Sequence, residues 1–140
     1  MNNLRLQAYK VEDLKFINKL ENATQLKLQN TYSFNASYTA DSKRCVAKLS
    51  VTVFDKEYEN KFKISFDMLG IFDVLDTSVA KEKLHVEAYY HLFPFAKAFA
   101  ANLSVNSGMP PIYLVGMDIE KQSIYKIGKN PPKGFENAEV

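Results

Sequence analysis

The stretch Leu26-Lys27-Leu28-Gln29-Asn30-Thr31-Tyr32-Ser33-Phe34-Asn35-Ala36-Ser37-Tyr38 decides the fold class. Its even positions read Leu26, Leu28, Asn30, Tyr32, Phe34, Ala36 and Tyr38, and its odd positions Lys27, Gln29, Thr31, Ser33, Asn35 and Ser37. Side chains alternate between the faces of a strand, so a period of two sustained this long predicts a strand with one dry face and one wet face. Ala40-Asp41-Ser42 follows as a turn.

Working outward, the pattern returns twice. Cys45, Ala47, Leu49, Val51 and Val53 alternate with Arg44, Lys48, Ser50 and Thr52, with Val46 breaking the polarity. After the charged turn Asp55 to Asn60, Phe62, Ile64, Phe66 and Met68 alternate with Lys61, Lys63, Ser65 and Asp67, and Gly70 ends the run. An earlier strand is expected from Leu4 to Phe16, where Leu4, Leu6 and Ala8 share a face. Val11, Leu14 and Phe16 leave that register, which predicts a bulge near Tyr9–Val11. From residue 80 to 105 the period changes: Leu84, Ala88, Leu92, Phe95, Phe99 and Leu103 recur at three or four residues, an amphipathic helix that Pro94 should kink or break. Asn106-Ser107-Gly108 reads as its stop. Met117 to Lys126 is expected as a short helix and Lys129 to Val140 as a loose tail.

These segments predict an α+β chain: a four-stranded antiparallel meander with one long kinked helix and a short C-terminal helix. A single domain spans residues 1–128, with a tail over 129–140. One helix cannot cover the dry side of four strands and its own aromatics as well. Tyr89, Tyr90, Phe93, Phe95 and Phe99 surround it, so the missing cover should come from another subunit or a ligand, and an oligomer is expected.

Composition narrows the function. The chain has 140 residues, is 46% hydrophobic and carries 18 basic against 16 acidic side chains, a net charge of +2. All its basic residues except Arg5 and Arg44 are lysine, which argues against a nucleic-acid surface. Met1 to Tyr9 contains no apolar signal core and no stretch is long and apolar enough to cross a bilayer, so a cytoplasmic protein without membrane insertion is expected. Cys45 stands alone and reads as a buried structural thiol.

A catalytic constellation is not apparent. His85 and His91 are six apart on the helix, share no face, and read as surface or interface residues. They lack zinc-ligand spacing, so no metal is expected. Glu12-Asp13 and the pair Asp118/Glu120 read as surface charge. Glycines do not form a phosphate loop, and Ser78, Ser104 and Ser107 have no triad context. Neither an enzyme nor a cofactor is expected. The surplus of apolar and aromatic surface suits a binder of extended polypeptide. A small-ligand binding protein and an enzyme with an unrecognised site are the other readings.

The order of segments resembles the SecB export chaperones. Cys45 to Val53 resembles their third strand, and Phe62 to Phe72, with its Gly70-Ile71-Phe72 ending, is similar to their fourth. Leu92-Phe93-Pro94-Phe95-Ala96-Lys97 resembles a motif of their long helix, and Gly108-Met109-Pro110-Pro111-Ile112-Tyr113-Leu114 the segment after it. Leu4-Arg5-Leu6-Gln7 with Asp13 and Phe16 resembles their first strand. The resemblance covers roughly residues 4–120. It implies an ATP-independent holdase for unfolded or nascent polypeptides in protein export and translocation. It also implies a homo-oligomer, dimer or tetramer, whose first strands pair and whose helices pack between sheets. The implied polypeptide groove is lined by Leu20, Leu26, Leu28, Ile112, Leu114, Ile119 and Tyr125, and the implied subunit interface by Leu4, Leu6, Tyr89, Phe93, Phe95 and Phe99. Docking of the SecA motor, through the basic zinc-binding tail that family members bind, falls to Asp13 alone. The other matched positions hold Ile17, Lys63 and Ser65 where the family has acidic or apolar residues, so SecA should bind weakly. A dedicated client, for example an antitoxin, is the alternative to general export.

Overall fold

The computed structural model describes residues 2–20, 27–57, 60–117 and 119. Four strands, β1 (Leu4–Asn18), β2 (Leu28–Tyr38), β3 (Arg44–Asp55) and β4 (Phe62–Val74), precede one long helix, α1 (Lys81–Asn106). The expected α+β class is observed: all strand pairs are antiparallel and α1 lies against the sheet.

Strand order differs from a simple meander. It is β1-β4-β3-β2, so only β2, β3 and β4 follow one another across the sheet. β1 pairs with β4, Leu4 opposite Val74 and Asn18 opposite Phe62. Alternation tells which face of a strand is dry, not which strand lies beside it. The turn between β2 and β3 falls where Ala40-Asp41-Ser42 placed it. Asp41 accepts from the Thr39 hydroxyl at 2.7 Å and the Lys43 N–H at 3.0 Å, and Ser42 adopts φ 59°. Those hydrogen bonds, Thr39's first, hold the Asp41 carboxyl below its ordinary range.

The broken register of β1 has two causes, neither at the expected Tyr9–Val11. Pairing with β4 shifts between Leu6 and Ala8, and again between Glu12 and Lys15, where Asp13 has φ 54°. Each bulge exchanges the faces. Leu6 stands opposite Phe72 on the dry side. After the first bulge Tyr9 opposes Gly70 and Val11 opposes Met68, and after the second Phe16 opposes Ile64. Ala8 lies opposite Ile71 and falls on the outer face, away from Leu4 and Leu6.

Helix α1 buries a ridge at every fourth residue: Leu84, Ala88, Leu92, Ala96, Ala100 and Ser104. It runs through Pro94 without interruption. Its end is a Schellman motif, with Met109 N–H donating to the Ser104 carbonyl, Gly108 N–H to Val105, and Gly108 at φ 90°. The buried face is held to the sheet by two devices. Glu87, almost fully buried, accepts from the Leu4 N–H at 2.7 Å, the Asn3 N–H at 3.0 Å and the Asn3 side-chain amide at 3.1 Å, clamping the start of β1 to the helix. The other device is the missing side chain of Gly70. A Cβ there would lie 2.9 Å from Leu92 Cδ1 and 3.1 Å from the Phe72 ring.

Gly70→Ala therefore tests the closeness of the crossing. Alanine is no worse than glycine in a strand, so on an open sheet the change would be neutral or mildly stabilising. Beneath Leu92 it should destabilise by about 1–3 kcal/mol, the usual cost of overpacking, read as a lower urea midpoint at unchanged slope. An unchanged midpoint would mean that helix and sheet are not locked at this point.

Candidate polypeptide-binding surface

Beyond the Schellman turn, the segment after α1 alternates. Ile112, Leu114 and Ile119 are buried in the core, while Tyr113 is 64% exposed and Val115 72%. The segment is fixed from beneath by an aromatic platform. Tyr89 lies 5.3 Å from Phe93 in a stacked pair and 5.6 Å from Phe34 edge-on, and Tyr32 lies 6.4 Å from Phe93. The Met117 N–H donates to the Tyr89 hydroxyl at 3.0 Å. Gly116 allows this approach, since a Cβ there would stand 3.1 Å from that hydroxyl. Burial pushes the Tyr89 phenol above its ordinary pKa, against the opposing pull of the Met117 N–H, and burial also raises Tyr32. Both therefore stay neutral at physiological pH.

The residues expected to line a groove separate into three groups. Ile112, Leu114 and Ile119 point inward and serve the core of this chain. Leu28 is exposed and Leu20 half-buried against the core. Leu26 and Tyr125 lie outside the described residues, as does most of the expected helix Met117 to Lys126. The outward apolar side chains are Tyr113 and Val115. Extended backbone with Ile112 and Leu114 inward sends Tyr113 and Val115 outward, so period two carried the signal.

The expected interface residues separate too. Leu4 and Tyr89 are core side chains, and Leu6, Phe93 and Phe99 are half-buried. Phe95 is exposed, with its ring 4.6 Å from that of Tyr9. Tyr90, one of the aromatics expected to need cover, is exposed as well, as are Tyr9, Leu14, Leu75 and Val105, which were not expected there. Between Ala88 and Asn106 the helix has one formal charge, Lys97, besides His91. Asp13 sits exposed in the second bulge of β1, while on the outer face Ile17 pairs with Lys63 and Lys15 with Ser65.

His85 is not at the surface. It is buried against the Phe34 ring at 5.0 Å, because its turn of α1 faces β2. His91 is half-buried, and its Nε2 lies 3.3 Å from Glu87, four residues before it. Among the described residues no group of three or more His, Cys, Asp or Glu side chains could hold a metal ion, and no helix is long and apolar enough to cross a membrane. Cys45 is fully buried opposite Tyr38. Burial pushes its thiol from 9.0 up to about 12, with a weaker opposing pull from Tyr38, so it is protonated and shielded from electrophiles.

No protein-family model matches the chain, and no curated protein matches it. A solved structure does: a SecB-like chaperone of Mycobacterium tuberculosis, in complex with a ChAD peptide from an antitoxin. The TM-score is 0.58 at 14% identity, covering 82% of this chain and 91% of that one. At that identity the likeness is one of fold, and the fold is SecB-like.

Two outcomes follow for Cys45. A thiol-disulfide reagent at pH 8 should leave the native protein unlabelled and react fully in denaturant. The raised thiol pKa favours the folded state fully below 9.0 and progressively less towards about 12, because only the unfolded chain then gives up the proton. Urea midpoints should fall over that alkaline window in the native sequence and fall less in Cys45→Ala. Rapid native labelling would contradict the burial.

Proposed function

We propose that this chain is the subunit of a cytoplasmic, ATP-independent holdase that binds unfolded polypeptide on exposed apolar surface. The observation that carries the proposal is the segment Ile112 to Val115. Its inward residues are core and its far end is fixed to Tyr89, so Tyr113 and Val115 present apolar surface on an ordered backbone. Exposed apolar surface gathered on one segment, rather than scattered singly, is what a polypeptide-binding site presents. Apolar contact without charge accepts many sequences, as a holdase requires. The SecB-like fold supports the same reading, since the structural neighbour is a chaperone that holds a peptide.

A dedicated client such as an antitoxin is favoured over general export. That neighbour holds an antitoxin peptide. The SecA tail is basic around its zinc. Lys63 and Lys15 on the outer face would repel it, and Asp13, displaced into a bulge, would offset little. Assembly is the second part of the proposal. Tyr9 and Phe95, exposed and with their rings 4.6 Å apart, leave an aromatic surface where α1 meets β1, which a second copy would cover.

With no nucleotide added, the protein should suppress aggregation of an unrelated unfolded protein at near-stoichiometric ratio. Tyr113→Asp with Val115→Asp should weaken that suppression at least fivefold while leaving the circular dichroism spectrum unchanged, since both side chains are exposed. A SecA tail peptide should not compete. Equal suppression by the double variant would remove this surface from the function.

Sedimentation at micromolar concentration should give a dimer or tetramer mass, and Phe95→Asp should lower it. A mass near one 16.0 kDa chain across that range would dispose of the assembly.

A further inference from the structure

The face of the sheet turned away from α1 carries an apolar island among its polar residues. Val46, which breaks the alternation of β3, stands opposite Ile71, and Ile71 opposite Ala8. Leu69, one step along β4, is 3% exposed yet lies outside the core cluster beneath α1; its partners are Lys48 on β3 and Lys10 on β1. Lysine stems lie over apolar surface while their heads stay in water, and a leucine is buried on a wet face in this way. Ala8 reaches the outer face through the first bulge of β1. Its methyl group leaves a hollow of about 120 Å³, lined by Ala8, Tyr9, Lys10, Leu69 and Ile71. That is room for one branched aliphatic side chain.

Beside the hollow stand the only two arginines of the chain. Asp73, two residues beyond Ile71, lies between them: Arg5 Nη2 approaches one carboxylate oxygen at 3.6 Å and Arg44 Nε the other at 3.5 Å. The Gln7 amide donates to the same carboxylate. One carboxylate thus orients two guanidinium groups and leaves a net positive charge. The arginine side chains are 64% and 60% exposed, and the five donors of each suffice for Asp73 and a further carboxylate. Across the hollow, Lys10 pairs with Glu12 at 3.5 Å and Lys48 with Asp67 at 3.6 Å. The outward positions of the strands hold Arg5, Lys10, Lys15, Arg44, Lys48 and Lys63 against Glu12, Asp67 and Asp73, with Asp13 set apart in the second bulge. The face is therefore positive.

We propose that the hollow and the Arg5–Arg44 pair form a second docking site, for an extended acidic segment of a partner protein. One aliphatic side chain of that segment enters the hollow, and a carboxylate two residues away reaches the arginines. The sheet sets this spacing. About 7 Å separates successive side chains on one face of a strand, which is also the distance from residue i to i+2 in an extended partner. The site lies towards the opposite end of the outer face from Ile17 and Lys63, and the segment bearing Tyr113 packs on the other face, so the proposal is independent of the holdase reading. A second copy of this chain would bring the same excess of cations and be repelled. An acyl chain would outrun a hollow of this size, so an acidic protein segment is the better occupant than a lipid surface.

The probe is a blocked peptide, Glu-Ser-Leu-Ser-Glu, titrated at low salt into isotope-labelled protein and followed by amide chemical shifts. Saturable shifts should centre on Ala8, Leu69, Ile71 and Arg44. Arg5→Gln with Arg44→Gln should weaken binding at least tenfold. Ala8→Leu, which fills the hollow without altering charge, should do the same. All three positions are exposed, so the spectrum away from the site should show the fold intact. Absence of shifts, or shifts centred elsewhere, would overturn the proposal. So would undiminished binding by Ala8→Leu, which would reduce the contact to charge alone. Anionic lipid vesicles should not displace the peptide; displacement would give the site to a membrane surface instead. Tyr113→Asp with Val115→Asp should bind the peptide as the parent does, so that loss of docking and loss of holding are read separately.

Discussion

The crossing of α1 over Gly70 sets the height of the helix above the sheet, and the rest of the molecule is arranged around that height. Leu92 Cδ1 comes within 2.9 Å of where a Cβ would have stood, and Ala88, Ala96 and Ala100 keep the flanking contacts shallow. At that separation Tyr89 reaches Phe34 on one side and Met117 on the other. A helix standing off by one methyl group would forfeit much of the dispersion energy along its ridge. It would also carry the Tyr89 hydroxyl out of reach of the segment that presents Tyr113 and Val115.

Closing one side of the sheet uses most of what the chain has. The inner face is filled by α1 together with Ile112, Leu114 and Ile119, and the helix turns its own outer side, Tyr90, Phe95 and Val105, to solvent. The same physical fact underlies both halves of the proposed function. A single long helix laid over four strands leaves apolar surface to spare, which in the proposal meets either a copy of itself or a client.

Much of this was legible in the sequence because periodicity reports which side of an element is dry. Period two identified β2, β3 and β4, a spacing of three or four identified α1, although past Leu92 its buried ridge follows Ala96, Ala100 and Ser104 rather than Phe95, Phe99 and Leu103, and Asn106-Ser107-Gly108 marked a stop that is a Schellman turn. Gly70 read as the end of its run, yet β4 continues through it to Val74, and the glycine serves the approach of Leu92 instead. Neighbourhood was not legible: no pattern within β1 says that it pairs with β4. Nor were its bulges locatable, since a phase change spread over Leu6 to Phe16 fits several insertion points. Chemistry misled at Ile112, Leu114 and Ile119, where apolar character serves a core as well as a groove. It was silent at Glu87, whose buried clamp depends on the main chain of Asn3 and Leu4 rather than on any side-chain partner visible in the sequence.

The strand order also has a bearing on synthesis. β2, β3 and β4 are joined by short connections and can pair as they emerge. β1 is made first, yet its partner is complete only when Val74 has been added, and its clamp only with Glu87. Closing that long loop is entropically the latest step available to the sheet. Until then the newborn chain displays Leu4, Leu6, Val11 and Phe16 on an unpaired strand. During its own biogenesis a protein of this design passes through the condition in which it would find its substrates.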